Sequence, residues 1–194
     1  MNSSASRFGT RLAVIASLTL VLGTAFGAGA RAATKTWNNA GGGPWTTAGN
    51  WTPNGAPLAG DVIQFSTGGT FTVTAVPALS IQQLLVSNGS AVTLQAGAAN
   101  ALTIVGGPGT DLSVPSGTQL NVSGATVLTL ALASGATGSI GGSMAFSGAA
   151  HRLDAASVSA IAFGSGATFT QGTSCTGNVF TSTGTANVIL FASG

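Results

Sequence analysis

Downstream of Asp61, apolar residues alternate with Thr, Ser and Asn in short runs, and Gly, Ser, Asn or Thr clusters separate the runs. Phe71-Thr72-Val73 is followed by Ile81 to Val86, Ala91 to Leu94 and Ala101 to Val105. Then come Leu112-Ser113-Val114, Leu120-Asn121-Val122, Val127 to Leu132 and Met144-Ala145-Phe146. Val158 to Phe163, Ala167 to Thr170, Asn178 to Phe180 and Asn187 to Phe191 complete the series. Over much of this stretch the starts recur about every 8–12 residues, the rhythm of an all-β protein. In Leu102-Thr103-Ile104 and Leu112-Ser113-Val114 every second side chain is apolar, so one set faces inward and the Thr or Ser between faces outward. No long 3.6-residue period follows the leader; Ala149 to Ser159 has room for one helical turn or two, without a clear apolar stripe.

Three all-β architectures compete for this pattern. A transmembrane barrel needs strands of about 9–11 residues and aromatic girdles, whereas these runs are shorter and tyrosine is absent. A sandwich does not require so uniform a succession of Gly-rich turns. A parallel β-helix, or β-solenoid, fits best: each coil supplies two or three short strands and stacked coils bury a continuous apolar column. Composition supports this, because only 4% of residues are charged. A like charge repeated at the coil spacing of about 4.8 Å is repulsive, so a stacked fold selects neutral side chains. Repeat identity is too loose to give a coil length.

The first residues read as an address. Arg7 and Arg11 precede the apolar run Leu12 to Leu22, and a small-residue stretch ends in Ala30-Arg31-Ala32. A positive flank, an apolar segment and an A-x-A triplet are the parts of a secretory signal peptide. The alternative is a membrane anchor, since Leu12 to Ala30 is nearly long enough to span a bilayer, but Gly23, Gly27 and Gly29 weaken it. The expected organisation is a signal peptide over 1–32, a Trp/Gly-rich amino-terminal cap over 33–65, and coils over 66–194. Cleavage after Ala32 leaves Lys35 and Arg152 against Asp61, Asp111 and Asp154, a net charge of −1. The basic character therefore belongs to the leader. Too few cations exist to neutralise phosphates, which excludes a nucleic-acid partner and restricts any membrane contact to the signal segment. A single Cys excludes an internal disulfide framework.

The segment 33–65 differs from the rest. It holds Trp37, Trp45 and Trp51 with Gly41-Gly42-Gly43-Pro44, Pro53 and Pro57. A solenoid end exposes an unpaired strand edge and an apolar core, inviting end-to-end self-association, and a Trp-rich segment is suited to cover it. The functional rival is a glycan-stacking platform formed by the same three indoles. The sequence Trp37-Asn38-Asn39, Trp45-Thr46-Thr47-Ala48-Gly49-Asn50-Trp51, Pro57 and Asp61-Val62-Ile63-Gln64-Phe65 resembles the opening module of large secreted bacterial β-strand-repeat proteins. Those proteins are similar to autotransporter passengers and filamentous-haemagglutinin-like adhesins. The resemblance implies a right-handed parallel β-helix at the cell surface or outside the cell. It carries no catalytic residue across. Such proteins usually end in a sorting or translocation module, whereas here the chain stops at Ala192-Ser193-Gly194 after a strand. The expectation is a fragment or a short member that stacks through its open end.

Candidate chemistry is sparse. His151-Arg152-Leu153-Asp154 gathers the only His with two charges, and His151 and Asp154 in a turn would suit general acid/base work. The plainer reading is a polar excursion between coils, with Arg152 and Asp154 paired at the surface. Gly106-Gly107-Pro108-Gly109-Thr110-Asp111-Leu112-Ser113-Val114 nearly matches a calcium-binding nonapeptide, but Ser113 fills its apolar position and it occurs once, so a glycine turn is preferred. Cys175 is a lone thiol, expected buried and inert, with a link between chains as the alternative. Thr72-Val73-Thr74 has the T-x-T spacing of some ice-binding faces. No cofactor or metal is expected. The function expected is a secreted or cell-surface structural or adhesive β-solenoid that binds glycans or surface proteins through neutral polar faces. The alternatives are a fragment of a β-helix carbohydrate-active enzyme centred on His151, Arg152 and Asp154, and an ice- or mineral-binding solenoid.

Overall fold

The computed structural model describes residues 32–180 and 188–192. The expected signal peptide over 1–32 lies almost wholly outside the described residues. The described residues form a parallel β-solenoid of about six turns with almost no helix.

The first coil contains β1 (Thr34–Trp37), β2 (Gly43–Pro44), a 3-10 turn (Ala48–Asn50) and β3 (Trp51–Thr52). The second contains β4 (Val62–Phe65), β5 (Thr70–Val76) and β6 (Leu79–Ile81). The third contains β7 (Gln83–Val86), β8 (Ala91–Ala96) and β9 (Asn100–Ile104); the fourth, β10 (Leu112–Val114), β11 (Gln119–Val122) and β12 (Leu128–Leu132). The fifth contains β13 (Gly138–Ile140), β14 (Ser143–Phe146) and β15 (Arg152–Ala155). β16 (Ile161–Phe163), β17 (Thr168–Gln171) and β18 (Ile189–Phe191) end the stack.

Three sheets run along the solenoid. Sheet A orders β18-β16-β13-β10-β7-β4-β1-β3, sheet B orders β17-β14-β11-β8-β5-β2, and sheet C orders β15-β12-β9-β6. Every pairing is parallel except β1 with β3. Each full coil therefore gives three strands, the upper of the two numbers the sequence allows.

Alternation builds the core directly. Ile63, Leu84, Leu112, Gly138, Ile161 and Ile189 stack in one inward row of sheet A. Phe71, Val92, Leu120, Met144 and Phe169 form an inward row of sheet B, while Leu102, Leu130 and Leu153 form one in sheet C. Most of these side chains are fully buried, and each buried Leu, Ile or Val contributes about 1.5–3 kcal/mol by leaving water. Gly138 interrupts its row because Ile161 and Leu132 already fill the space a Cβ would need. Gly142 sits at the next corner with Thr118 O and Pro115 O of the preceding coil against it, so no side chain fits there. At Gln171 the inward row Val73, Leu94, Val122, Phe146 ends in an amide, whose Nε2 donates to Cys175 O (2.8 Å) and Gly177 O (3.0 Å).

Coil length varies, which explains why no repeat is visible. Successive residues of one inward row, Ile63, Leu84, Leu112, Gly138, Ile161 and Ile189, are separated by 21, 28, 26, 23 and 28 positions. Three expectations are corrected. Ile81 to Val86 is two strands, because the chain turns at Gln82 from sheet C into sheet A. Ala149 to Ser159 makes no helical turn; it contains β15, with Leu153 buried against Leu130. Asn178 to Phe180 is not a strand, although Val179 O accepts the Leu153 N–H at 2.9 Å.

Candidate functional site

The tryptophan segment is a closed structural knot. Trp37, Trp45 and Trp51 are each 1% exposed and present no face to a sugar ring, contrary to the glycan-platform reading. Trp37 and Trp51 meet edge to face at 4.9 Å, as do Trp45 and Trp51, and Phe65 and Phe71 complete the aromatic cluster. The asparagines of the motif hold it shut. Trp37 Nε1 donates to Asn39 O (2.6 Å), and Asn39 Nδ2 donates to Gly42 O (2.6 Å) and Asn50 Oδ1 (2.9 Å). Asn50 Nδ2 donates to Pro44 O (2.9 Å), and Trp51 Nε1 to Trp45 O (2.7 Å). Trp45 Nε1 is buried with no partner. The module is also part of the first coil, since β1 pairs with β4 and β2 with β5.

The structure separates the proposed acid/base cluster. His151 is 1% exposed and faces the core; Arg152 is exposed and Asp154 half-buried on the outer face of β15. Partners of fixed polarity assign the imidazole: Nδ1 accepts the Leu128 N–H (3.0 Å), so Nε2 carries the proton and donates to Ser147 O (3.0 Å). Both ring nitrogens are thereby used within the fold, and Phe146 packs edge to face on the ring. Asp154 Oδ1 accepts the Ala155 N–H (2.8 Å). General acid/base catalysis needs groups that converge on one substrate, and here the His, just before β15, is buried in the core while the carboxylate lies on the outer face of that strand.

Asp111 is likewise committed. It is 2% exposed; Oδ1 accepts the Gly107 N–H (2.7 Å) of its own turn and Oδ2 the Thr137 N–H (2.8 Å) of the next coil. Asp61 does the same at the equivalent corner, accepting Leu58 N–H (2.8 Å) and, from the preceding coil, Ala33 N–H (3.0 Å). Sequence reading missed this pair of corner clasps; the signal was an Asp directly before a strand of sheet A, both times. The glycine turn reading of residues 106–114 holds, with positive φ at Gly106 and Gly109 and β10 starting at Leu112. Cys175 is buried, as expected. Among the described residues no group of three or more His, Cys, Asp or Glu is placed to hold a metal ion, and no helix is long and apolar enough to cross a membrane.

What remains is the outer face of sheet B. Its register aligns Thr70, Ala91, Gln119, Ser143 and Thr168 in one row and Thr72, Thr93, Asn121, Ala145 and Thr170 in a second. Neighbours within a row lie about 4.8 Å apart from coil to coil, and the two rows are two residues apart along each strand. Neighbours are bonded in places: Thr168 Oγ1 donates to Ser143 Oγ (2.8 Å), and beside the face Gln95 Nε2 donates to Ser123 Oγ (3.1 Å). The face holds hydroxyls and amides and no charge. Thr72 does lie in register with Thr93 and Thr170, but Asn121 and Ala145 break the row, so the regular Thr face of an ice binder is not formed.

No family profile, curated protein or solved structure matches the chain. The β-solenoid and its Trp cluster thus rest on the molecule's own geometry.

Proposed function

We propose that this chain is a secreted or cell-surface structural solenoid, akin to the β-strand-repeat adhesins its amino end resembles, that binds glycans or matrix proteins through sheet B. The observation that carries this reading is the pair of uncharged outward rows, Thr70 to Thr168 and Thr72 to Thr170. Hydroxyls and amides at fixed spacing recognise neutral polar ligands by hydrogen bonds rather than by charge, and the leader-like residues 1–32 support an extracellular setting. In this reading the role is non-catalytic, since His151 spends both nitrogens on the fold.

The test is retention on immobilised glycans and matrix proteins, compared at about 0.1 M and 1 M NaCl, where the Debye length falls from about 10 to 3 Å. Binding is expected to change little with salt and to fall at least tenfold in Asn121→Lys, which places a charge mid-face. A steep salt dependence, or unaltered binding by Asn121→Lys, would overturn the assignment to sheet B.

A further inference from the structure

The corner carboxylates Asp61 and Asp111 are built alike but differ in the donor that the adjoining coil gives them. Asp111 Oδ2 receives the Thr137 N–H, an amide in the middle of the chain. Asp61 Oδ1 receives the Ala33 N–H at 3.0 Å, and Ala33 directly follows the triplet Ala30-Arg31-Ala32. Both sides of that contact are fixed. Asp61 is 6% exposed, its Oδ2 accepts the Leu58 N–H (2.8 Å), and its backbone O accepts the Gln82 N–H (2.8 Å) of the following coil. Ala33 is half-buried, and its O accepts the Val62 N–H at 2.8 Å as β1 begins to pair with β4. Ala32, one residue earlier, is exposed. The held part of the chain thus begins at the bond that the leader pattern marks for cleavage.

We infer, on the leader reading proposed above, that Asp61 is the binding site for the amino terminus that cleavage creates, so that removal of the leader locks the first coil. A signal peptidase adds one water across the Ala32–Ala33 bond. The C–N bond breaks, the water oxygen goes to the Ala32 carbonyl carbon to give a carboxylate, and both water protons end on the Ala33 nitrogen. An α-amine is mostly protonated at neutral pH, so the neutral bond to Asp61 Oδ1 becomes an ion pair. Hydrogen bonds between ionised partners are about twice as strong as neutral ones. The ammonium also has three donors where the amide has one, and it arises at a nitrogen already within hydrogen-bond distance of a buried carboxylate. Ala33 leads straight into β1, whose Trp37 belongs to the aromatic cluster, so the pair fixes the coil that carries the indoles. Asp111, held by mid-chain amides, gains nothing from cleavage.

Mass spectrometry of the exported protein is expected to place its first residue at Ala33. Inserting Gly-Ser-Gly between Ala32 and Ala33 leaves the triplet intact, moves the new amine three residues upstream and restores an ordinary amide at Ala33. In urea unfolding, Asp61→Asn should lower the folding equilibrium constant at least about fivefold more in the exported protein than in the extended one, whereas Asp111→Asn should act equally in both. Acylation supplies a readout independent of stability. At neutral pH the Ala33 amine should react at least about tenfold more slowly than the amine of the extended protein, and Asp61→Asn should restore its rate. Equal effects of Asp61→Asn in the two proteins, or equal acylation rates, would overturn the clasp and leave the leader reading standing. A first residue other than Ala33 would overturn the site, and a chain that keeps residues 1–32 would remove the leader reading with it. Glycan retention through sheet B is measured separately, so failure of the adhesive role is told apart from both.

Discussion

Asp111 offers the sharpest test of how the coils are joined. Its carboxylate bridges the Gly107 turn to Thr137 of the next coil through two backbone N–H groups at 2.7 and 2.8 Å, with Gln83 Nε2 at 3.5 Å beside them. A hydrogen bond to a charged group contributes about 1.5–3 kcal/mol, and a buried donor left alone is costly in its own right. Because both amides are only partly buried, water recovers some of that loss, and Asp111→Ala should cost about 3–4 kcal/mol. For a chain of this size that lowers Tm by roughly 6–16 °C. Asp111→Asn keeps one acceptor and turns an NH2 toward the other amide, so about half the loss is expected. Urea unfolding followed by circular dichroism measures both, and amide exchange should locate the opening at Gly107 and Thr137. A loss below about 1 kcal/mol in Asp111→Ala would refute the clasp. A rise in wild-type Tm on adding calcium would do so as well, since it would return the carboxylate to the nonapeptide role.

Three further tests probe other parts of the structure. Trp45→Phe removes an indole N–H that has no partner, whereas Trp51→Phe strips the donor from Trp45 O, so thermal melts should show Trp51→Phe the more harmful by about 1–2 kcal/mol. Gly142→Ala drives a Cβ into Thr118 O and Pro115 O and should cost over about 3 kcal/mol, while Gly49→Ala, with open space around it, should fall within about 0.5 kcal/mol of wild type; equal effects in denaturant titrations would contradict the corner packing. His151→Phe leaves Leu128 N–H and Ser147 O unpaired and should cost about 2–4 kcal/mol. Measurable turnover on a polysaccharide panel that vanishes in His151→Ala would restore the catalytic reading of that segment.

The fold class was legible because its cause is local. Two-residue alternation between turns survives in any single coil, and Leu102-Thr103-Ile104, Leu112-Ser113-Val114 and Leu120-Asn121-Val122 all lie in strands with the apolar members inside. Strands without that signature were missed. β13 has Gly138 where an apolar residue belongs, because the neighbouring Ile161 and Leu132 fill the space, and β15 carries Arg152 and Asp154 on its outer face. The site residues were less legible still, since a chemical role depends on the direction a side chain faces. His151 is a catalytic candidate in sequence beside Arg152 and Asp154, yet the chain enters β15 just after it, with the His ring bonded in the core and Arg152 and Asp154 on the outer face of the strand. The rows of sheet B needed the register between coils, and with spacing that varies from 21 to 28 positions no inspection of the sequence aligns Thr72, Thr93 and Asn121.

The placement of the few charges follows from the same stacking. Two like charges at about 4.8 Å repel by about 1 kcal/mol in water and several times that where the surface is less polar, so a charged row would tax every coil it crosses. Each described charge instead has neutral neighbours in its row. Arg152 lies against Thr129 and Asp154 against Ala131, on the last strand of sheet C. Lys35 lies on β1, near the start of sheet A, with Nζ turned away to donate to Pro53 O at 3.1 Å. Asp61 and Asp111 sit at corners, where backbone N–H groups of the adjoining coil take up their oxygens. A coil can thus carry a carboxylate where the chain turns, because there the adjoining layer offers donors, whereas in mid-strand Asp154 stands beside the neutral Ala131 rather than beside a like charge. That constraint leaves the outward rows of sheet B neutral from Thr70 to Thr170, and it is why any ligand of this face must be recognised through hydroxyls and amides.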